Sequence, residues 1–348
     1  MLDALRNQRD GQGRPFCRSK YEVLLLANNC TDETYRVAMD YQHAYPDFGL
    51  YVAECWFPPK TAHVGTARRL LMDEAWRRFT LLGYPNGIIA STDGDTEVDP
   101  TWVHHIVQEI QKGNDAVGGR ILLASPHNQP GNYHALDETY RTLVVQTESI
   151  LDPLHHDPWP CHFQYFGASL AVTCSMYEQA GGLPELPHLE DKAFYQALIF
   201  NDAKIRRSPE VKVITSGRHE GRVEIGLSEQ LKKWAHMEQR SEPQLVAGAP
   251  EIISCFTHRQ LIRTCWNDAN MYAKYNTELL ASLAGRINIS PQWMQEELEK
   301  SRYFGQLWEK IEQQLQSGGW YKQWKPVMIS DAIFDLQEFI RLHSCQEV

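Results

Sequence analysis

Between Tyr21 and about Leu227 short apolar runs alternate with longer stretches of helical spacing, and this alternation constrains the fold more than any other feature of the chain. Tyr21 to Ala27 (YEVLLLA) and Gly49 to Glu54 are of strand length. Between them Thr34 to Tyr45 places Val37, Ala38 and Tyr41 on one side of a helix. Val64 to Leu82 reads as a second helix, ended by Gly83, and Ile88 to Thr92 as a third strand. Trp102 to Gln111 is helical again, entered through Asp99-Pro100, and Asp115 to Ala124 returns to a strand pattern. Strands separated by helices of about ten to fifteen residues predict an α/β fold, a doubly wound, mostly parallel sheet flanked by helices. Ligands of such sheets sit beyond the carboxyl ends of the strands. Asn28-Asn29 and Asp93-Gly94-Asp95 both fall at such ends.

Asp93-Gly94-Asp95 carries two carboxylates, one residue apart, out of a strand into a turn. Adjacent anions repel unless a proton or a cation lies between them. Hard divalent ions, Mg²⁺ or Mn²⁺, suit oxygen ligands and commonly hold a substrate phosphate as well. The same triplet also reads as an acidic turn facing water. The formal charge of −10 argues against a nucleic-acid partner, so any phosphate must be handled locally by a metal or a few placed cations.

The remaining composition narrows the setting. A length of 348 residues with 43% hydrophobic content can bury a large core or two domains. Eight scattered cysteines, with no Cys-x-x-Cys pair, read as reduced thiols of a cytoplasmic protein. No apolar run approaches the roughly 18 residues of a transmembrane segment. Ser125 to Gly131 and Asp152 to Pro160 are loops by composition. His155, His156, Cys161 and His162 match no zinc-ligand spacing. Beyond residue 228 strand patterns become rare, and segments such as Pro291 to Gln316 are charged amphipathic helices. The expected division is 1–228, an α/β domain, and 229–348, mainly helical, with Pro243, Gly248 and Pro250 as linker residues.

Five segments occur in a telling order: Asn28-Asn29-Cys30-Thr31-Asp32, Asp93-Gly94-Asp95, Gly167-Ala168-Ser169, Gly181-Gly182-Leu183-Pro184 and Glu190-Asp191. Together they resemble the family 2 glycosyltransferases of GT-A fold over about residues 1–227. The resemblance implies a metal-dependent enzyme that moves a sugar from a UDP- or GDP-type nucleotide-sugar donor to a small or lipid-linked hydroxyl acceptor. It further implies inversion of configuration and non-processive action. By that resemblance Asn28 and Asp32 lie at the nucleoside base, although Asp32 also reads as a helix N-cap. Asp95 contacts the Mg²⁺ or Mn²⁺ ion; Asp93, its partner, reaches the ribose or the ion, and Gly94 lies with them in the nucleotide-sugar site. Arg68 and Arg69, near His63 and Gly65, reach phosphate oxygens. Either arginine also reads as a surface partner of Asp73. Asp191, or else Glu190, is the general base that deprotonates the acceptor. The pair also reads as helix N-terminal acids complementing the macrodipole. His219 completes the metal shell, Arg218 and Arg222 contact the diphosphate, and Trp159, Gly167 and Ser169 lie on the acceptor side.

The chain departs from the family at its start. The family opens with a central apolar strand, whereas here Met1-Leu2-Asp3-Ala4-Leu5 looks like the helix that follows it. The family's first strand is thus expected to be missing, leaving unpaired edges within the sheet and giving poor solubility or weak nucleotide affinity. Two other readings stay open: a sugar-phosphate nucleotidyltransferase, and a degenerate, non-catalytic binding or scaffold subunit.

Overall fold

The computed structural model describes residues 1–124, 132–216, 226–272 and 277–344. In chain order the elements are α1 (Leu2–Arg6), β1 (Val23–Asn28), α2 (Thr34–Ala44), β2 (Leu50–Cys55), α3 (Val64–Leu81), β3 (Ile88–Ser91), β4 (Thr96–Val98), α4 (Trp102–Gln111), β5 (Ala116–Leu123) and α5 (Asn132–Leu151). There follow β6 (Leu170–Thr173), α6 (Cys174–Gln179), α7 (Glu190–Phe200), β7 (Ile205–Thr215), α8 (Leu227–Gln239), β8 (Leu245–Val246), α9 (Ala249–Tyr272), α10 (Thr277–Arg286), α11 (Pro291–Lys300), α12 (Phe304–Ser317), β9 (Val327–Met328) and α13 (Ile329–Ser344). The chain divides into two compact units. The first holds 1–126, 164–198 and 203–230; the second holds 127–163, 199–202 and 231–348.

The first unit is α/β, and its elements up to β5 follow the predicted alternation except for β4, a short strand that follows β3 with no helix between and was not expected. The sheet, however, is mixed rather than mostly parallel. β1 pairs with β2 in parallel, from Val23 opposite Leu50 to Asn28 opposite Cys55. A second sheet has the order β3-β6-β5-β7-β4. Within it β5 and β7 are parallel, while β6 runs antiparallel to both β3 and β5, and β4 antiparallel to β7. The cause is β6, which inserts between β3 and β5 and reverses the local direction. Its four residues Leu170 to Thr173 are all buried, so packing from both faces holds it in this central place.

Among the described residues β1 forms a ladder only with β2, and β3 only with β6. One edge of each is unpaired. Both strands pack against α3, so the two open edges lie under one helix. Beneath them Leu50, Val98, Trp102, Val117, Ala171 and Val213 share one apolar cluster, to which Val23, Leu25 and Ile88 add. A second cluster, around Met72, Leu170, Phe194 and Leu198, lies where α3, α6 and α7 meet β3 and β6.

The second unit is helical. Its main cluster joins α9 to α12 through Ile262, Leu283, Met294, Leu307 and Ile311. Asp202 begins this packing by accepting the N–H groups of Phe304 and Gly305, both at 2.7 Å, at the start of α12. Helix α5 belongs to this unit and is twenty residues long, although the sequence reading assigned only the loops on either side of it. Among the described residues no helix is long and apolar enough to cross a membrane.

Candidate functional site

The site is built where β3 ends. After Ser91 the strand releases Thr92 and then Asp93-Gly94-Asp95, and β4 restarts pairing at Thr96 with Thr215. The turn closes with Thr96 N–H donating to the Asp93 carbonyl at 3.1 Å. Gly94 is exposed, and a side chain there would meet open space.

Glu190 and Asp191 reach the same place from the start of α7. The turn that delivers them is constrained by backbone that favours glycine: Gly181 and Gly182 have φ of 81° and 76°, and Leu189 has φ of 57°. Arg69 locks that turn, donating to the carbonyls of Gly181 at 3.2 Å and Leu183 at 2.9 Å. Its Nε pairs with Asp73 Oδ2 at 2.6 Å, one helical turn along α3, and the Tyr177 hydroxyl donates to the other oxygen of Asp73 at 2.7 Å. Asp73 was legible as an i,i+4 partner. Tyr177 was not, because nothing in its sequence neighbourhood marks it. Burial pushes the Tyr177 hydroxyl well above the ordinary tyrosine range, and the bond to Asp73 adds to this.

Arg68, on the same turn of α3, joins the two halves of the site. One terminal nitrogen donates to Asp93 Oδ1 at 2.5 Å, and the other donates to Glu190 Oε1. The guanidinium is enclosed, with 10% of its side chain accessible. Gly167 makes room for it, since a Cβ at that position would run into the guanidinium. The Gly167 N–H donates to Asp191 Oδ2 at 2.9 Å, and Lys192 N–H donates to Oδ1 at 2.7 Å. Gly65 lets the start of α3 come directly against the backbone of Leu186, which brings Arg68 and Arg69 to the turn.

The electrostatics follow from this crowding. Although 39% of the Asp93 side chain is accessible, burial pushes its carboxyl above the ordinary range; Arg68 opposes the shift, and nearby Asp95 and Asp191 add to it. Glu190, with 5% of its side chain accessible, is likewise raised by burial, opposed by Arg68 and reinforced by Asp191 and Asp93. Two carboxylates therefore hold one guanidinium while Asp95 and Asp191 add negative charge beside them, an excess suited to a further cation. Among the described residues no group of three His, Cys, Asp or Glu side chains is placed to hold a metal by itself. Mg²⁺ is usually bound through one or two carboxylates with substrate oxygens completing the shell, and Asp93 and Asp95, one residue apart in the turn, are the residues that could supply them.

The other expected residues are dispersed. Asn28 ends β1, and its Oδ1 is buried with no hydrogen-bond partner; Thr92 Oγ1, beside the acidic turn, is in the same state. Both lie at carboxyl ends of strands, and an orphaned buried acceptor there calls for a ligand donor or a water. Asp32 Oδ1 accepts from Thr34 N–H at 3.0 Å, the local bond expected of a residue entering α2. Ser169 is buried, and its Oγ accepts from the Trp102 indole at 2.9 Å. Trp159 is in the second unit, with 41% of its surface accessible. Arg218, His219 and Arg222 lie outside the described residues. The described cysteines, Cys17, Cys30, Cys55, Cys161, Cys174, Cys255 and Cys265, form no disulfide among the described residues.

The fold and site define an α/β protein with a mixed sheet and a cluster of carboxylates, bridged by arginine, at a strand end. No protein family matches the chain, and no curated protein does. Among solved structures it is similar to the mannosyltransferase PcManGT from Pyrobaculum calidifontis in complex with GDP-Man and Mn2+, with a TM-score of 0.40 and 13% identity, over 99% of this chain and 79% of that chain.

Proposed function

We propose that the chain is a metal-dependent glycosyltransferase of GT-A type, similar to family 2, using a UDP- or GDP-type nucleotide-sugar and a hydroxyl acceptor. The observation that carries this reading is the bridge from Asp93 through Arg68 to Glu190, which gathers a strand-end acidic turn and a helix-start acidic pair that are far apart in sequence. A donor has one centre that gains negative charge and an acceptor has one hydroxyl that must lose a proton. Separate acidic groups in one place answer both needs.

In this reading Asp95 and Asp93 hold Mg²⁺ or Mn²⁺, which when bound neutralises charge on the departing nucleoside diphosphate. Asn28, with its unpaired Oδ1, accepts from the nucleoside base, and Asp32 is proposed to contact the nucleoside as well. Asp191 takes the acceptor proton. Glu190 is held by Arg68 and is less available for that role, whereas Asp191 accepts from the backbone N–H groups of Gly167 and Lys192. Gly167, whose N–H donates to Asp191, is proposed on the acceptor side, and inversion follows from a base opposite the leaving group. A cytoplasmic, non-processive enzyme completes the proposal.

The test is release of nucleoside diphosphate from UDP- and GDP-sugars with Mn²⁺. The expected result is slow turnover by the wild type, reduced at least about a hundredfold in Asp95→Ala, the scale of losing one electrostatic group in a catalytic site. Pyrophosphate release from a sugar phosphate and NTP would favour a nucleotidyltransferase instead. The interrupted pairing between β1 and β3 favours a second reading, a non-catalytic binding subunit. Nucleotide binding without turnover would select it.

A further inference from the structure

Arg68 occupies a place that, on the transferase reading, a divalent ion and a diphosphate must share. Arginine commonly pairs with one carboxylate through two parallel bonds. Here the fork is split: one nitrogen goes to Asp93 at the end of β3 and the other to Glu190 at the start of α7. Each carboxylate thus holds the guanidinium by one nitrogen, and Asp93 can release its share while Glu190 keeps the side chain seated. The seat is built into the fold, because Gly167 leaves the space that the guanidinium fills and the close approach of Gly65 to Leu186 fixes the height of α3.

We propose that Arg68 is a resident counter-ion, which pairs with Asp93 in the free protein and yields it to a divalent cation only when a nucleoside diphosphate arrives. The inference rests on the transferase reading and adds an order of binding to it. A dication approaching Asp93 alone meets a fixed positive charge that water screens poorly, because only 10% of the Arg68 side chain is accessible. A diphosphate removes that obstacle in two ways. Its oxygens share the dication's charge, and they give the nitrogen released from Asp93 a new anionic partner. Metal and nucleotide therefore bind with positive coupling, and Arg68 carries much of it. The coupling is reciprocal, so it can be read from either ligand.

The experiment measures free Mn²⁺ by electron paramagnetic resonance over the full-length protein, with and without UDP or GDP, using Asp95→Ala as the background for metal complexed by nucleotide alone. Two variants are compared with the wild type. Arg68→Met removes the counter-ion, and Arg68→Met/Glu190→Gln removes it without leaving Glu190 as an uncompensated buried charge. In the wild type a nucleoside diphosphate should tighten Mn²⁺ binding about tenfold or more, within the usual range of coupling between sites. In both variants Mn²⁺ alone should bind severalfold more tightly than to the wild type, and the added nucleotide should matter much less. If the double variant binds Mn²⁺ alone no more tightly than the wild type, while the wild type still shows nucleotide-dependent Mn²⁺ binding, the counter-ion role is overturned and the transferase reading stands. If none of the proteins binds Mn²⁺ above the Asp95→Ala background with either nucleotide, both fall together.

Discussion

Arg68 and Arg69 are neighbours in sequence and differ in what they hold. Arg68 faces the acidic site, whereas Arg69 is spent on the backbone carbonyls of Gly181 and Leu183 and on Asp73. Sequence spacing could mark both as cations near a helix start, but only the path of the 181–189 turn decides which one meets carboxylates. Arg69→Met should leave those carbonyls without their charged donor and free the Tyr177–Asp73 pair. The expected loss is about 1–3 kcal/mol of stability, the scale of a hydrogen bond to a charged group. It is checked by urea unfolding, alongside donor turnover that falls because Glu190 and Asp191 lose their fixed approach. An unchanged midpoint would show that the turn holds itself.

At the level of elements, the strand and helix starts of the first 124 residues, β4 apart, could be read from apolar periodicity, because each short run is bounded by polar turns. Two further features were hidden. Helix α5 places Leu136, Tyr140, Leu143 and Val144 at helical spacing, but the loop-like segments flanking it mask the pattern. The direction of β6 was not legible at all: Leu170 to Thr173 is a buried apolar run of four, and no run that short states which strands it separates. Similarly, the order Asp93 … Glu190 suggested a site, but the guanidinium between them is a tertiary fact. Helix α5 shows what such facts contribute. Asp152, just beyond its end and 1% accessible, accepts from Arg259 Nε at 2.5 Å and from Arg263 Nε at 2.9 Å on α9, while Glu148 also holds Arg259 at 2.7 Å. Asp152→Asn keeps the shape and removes the charge, leaving two enclosed guanidiniums undercompensated. It should cost about 3 kcal/mol, measured as a lower denaturation midpoint of the helical unit. A change under about 0.5 kcal/mol, typical of surface pairs, would mean that water screens the cluster.

For the molecule as a whole, the interrupted sheet of the first unit matters most. β1 reads as Val-Leu-Leu-Leu-Ala-Asn, a run suited to burial on both faces, yet among the described residues it is paired along one edge only. Unpaired edges open readily and invite association. Amide hydrogen exchange should therefore be faster in β1 and β2 than in β5 and β7, which lie inside the five-stranded sheet. Equal protection in both sheets would show that the edge is closed in solution.

The central claim is that Asp93 and Asp95 hold a divalent ion against a nucleoside diphosphate. The most direct measurement is anomalous diffraction at the manganese edge from crystals grown with Mn²⁺ and UDP or GDP. The account predicts one strong peak about 2.1 Å from carboxylate oxygens of Asp95 or Asp93, with diphosphate oxygens in the same shell and Arg68 turned from Asp93. A bound nucleotide whose diphosphate lies away from this turn, with no manganese peak beside it, would contradict the claim.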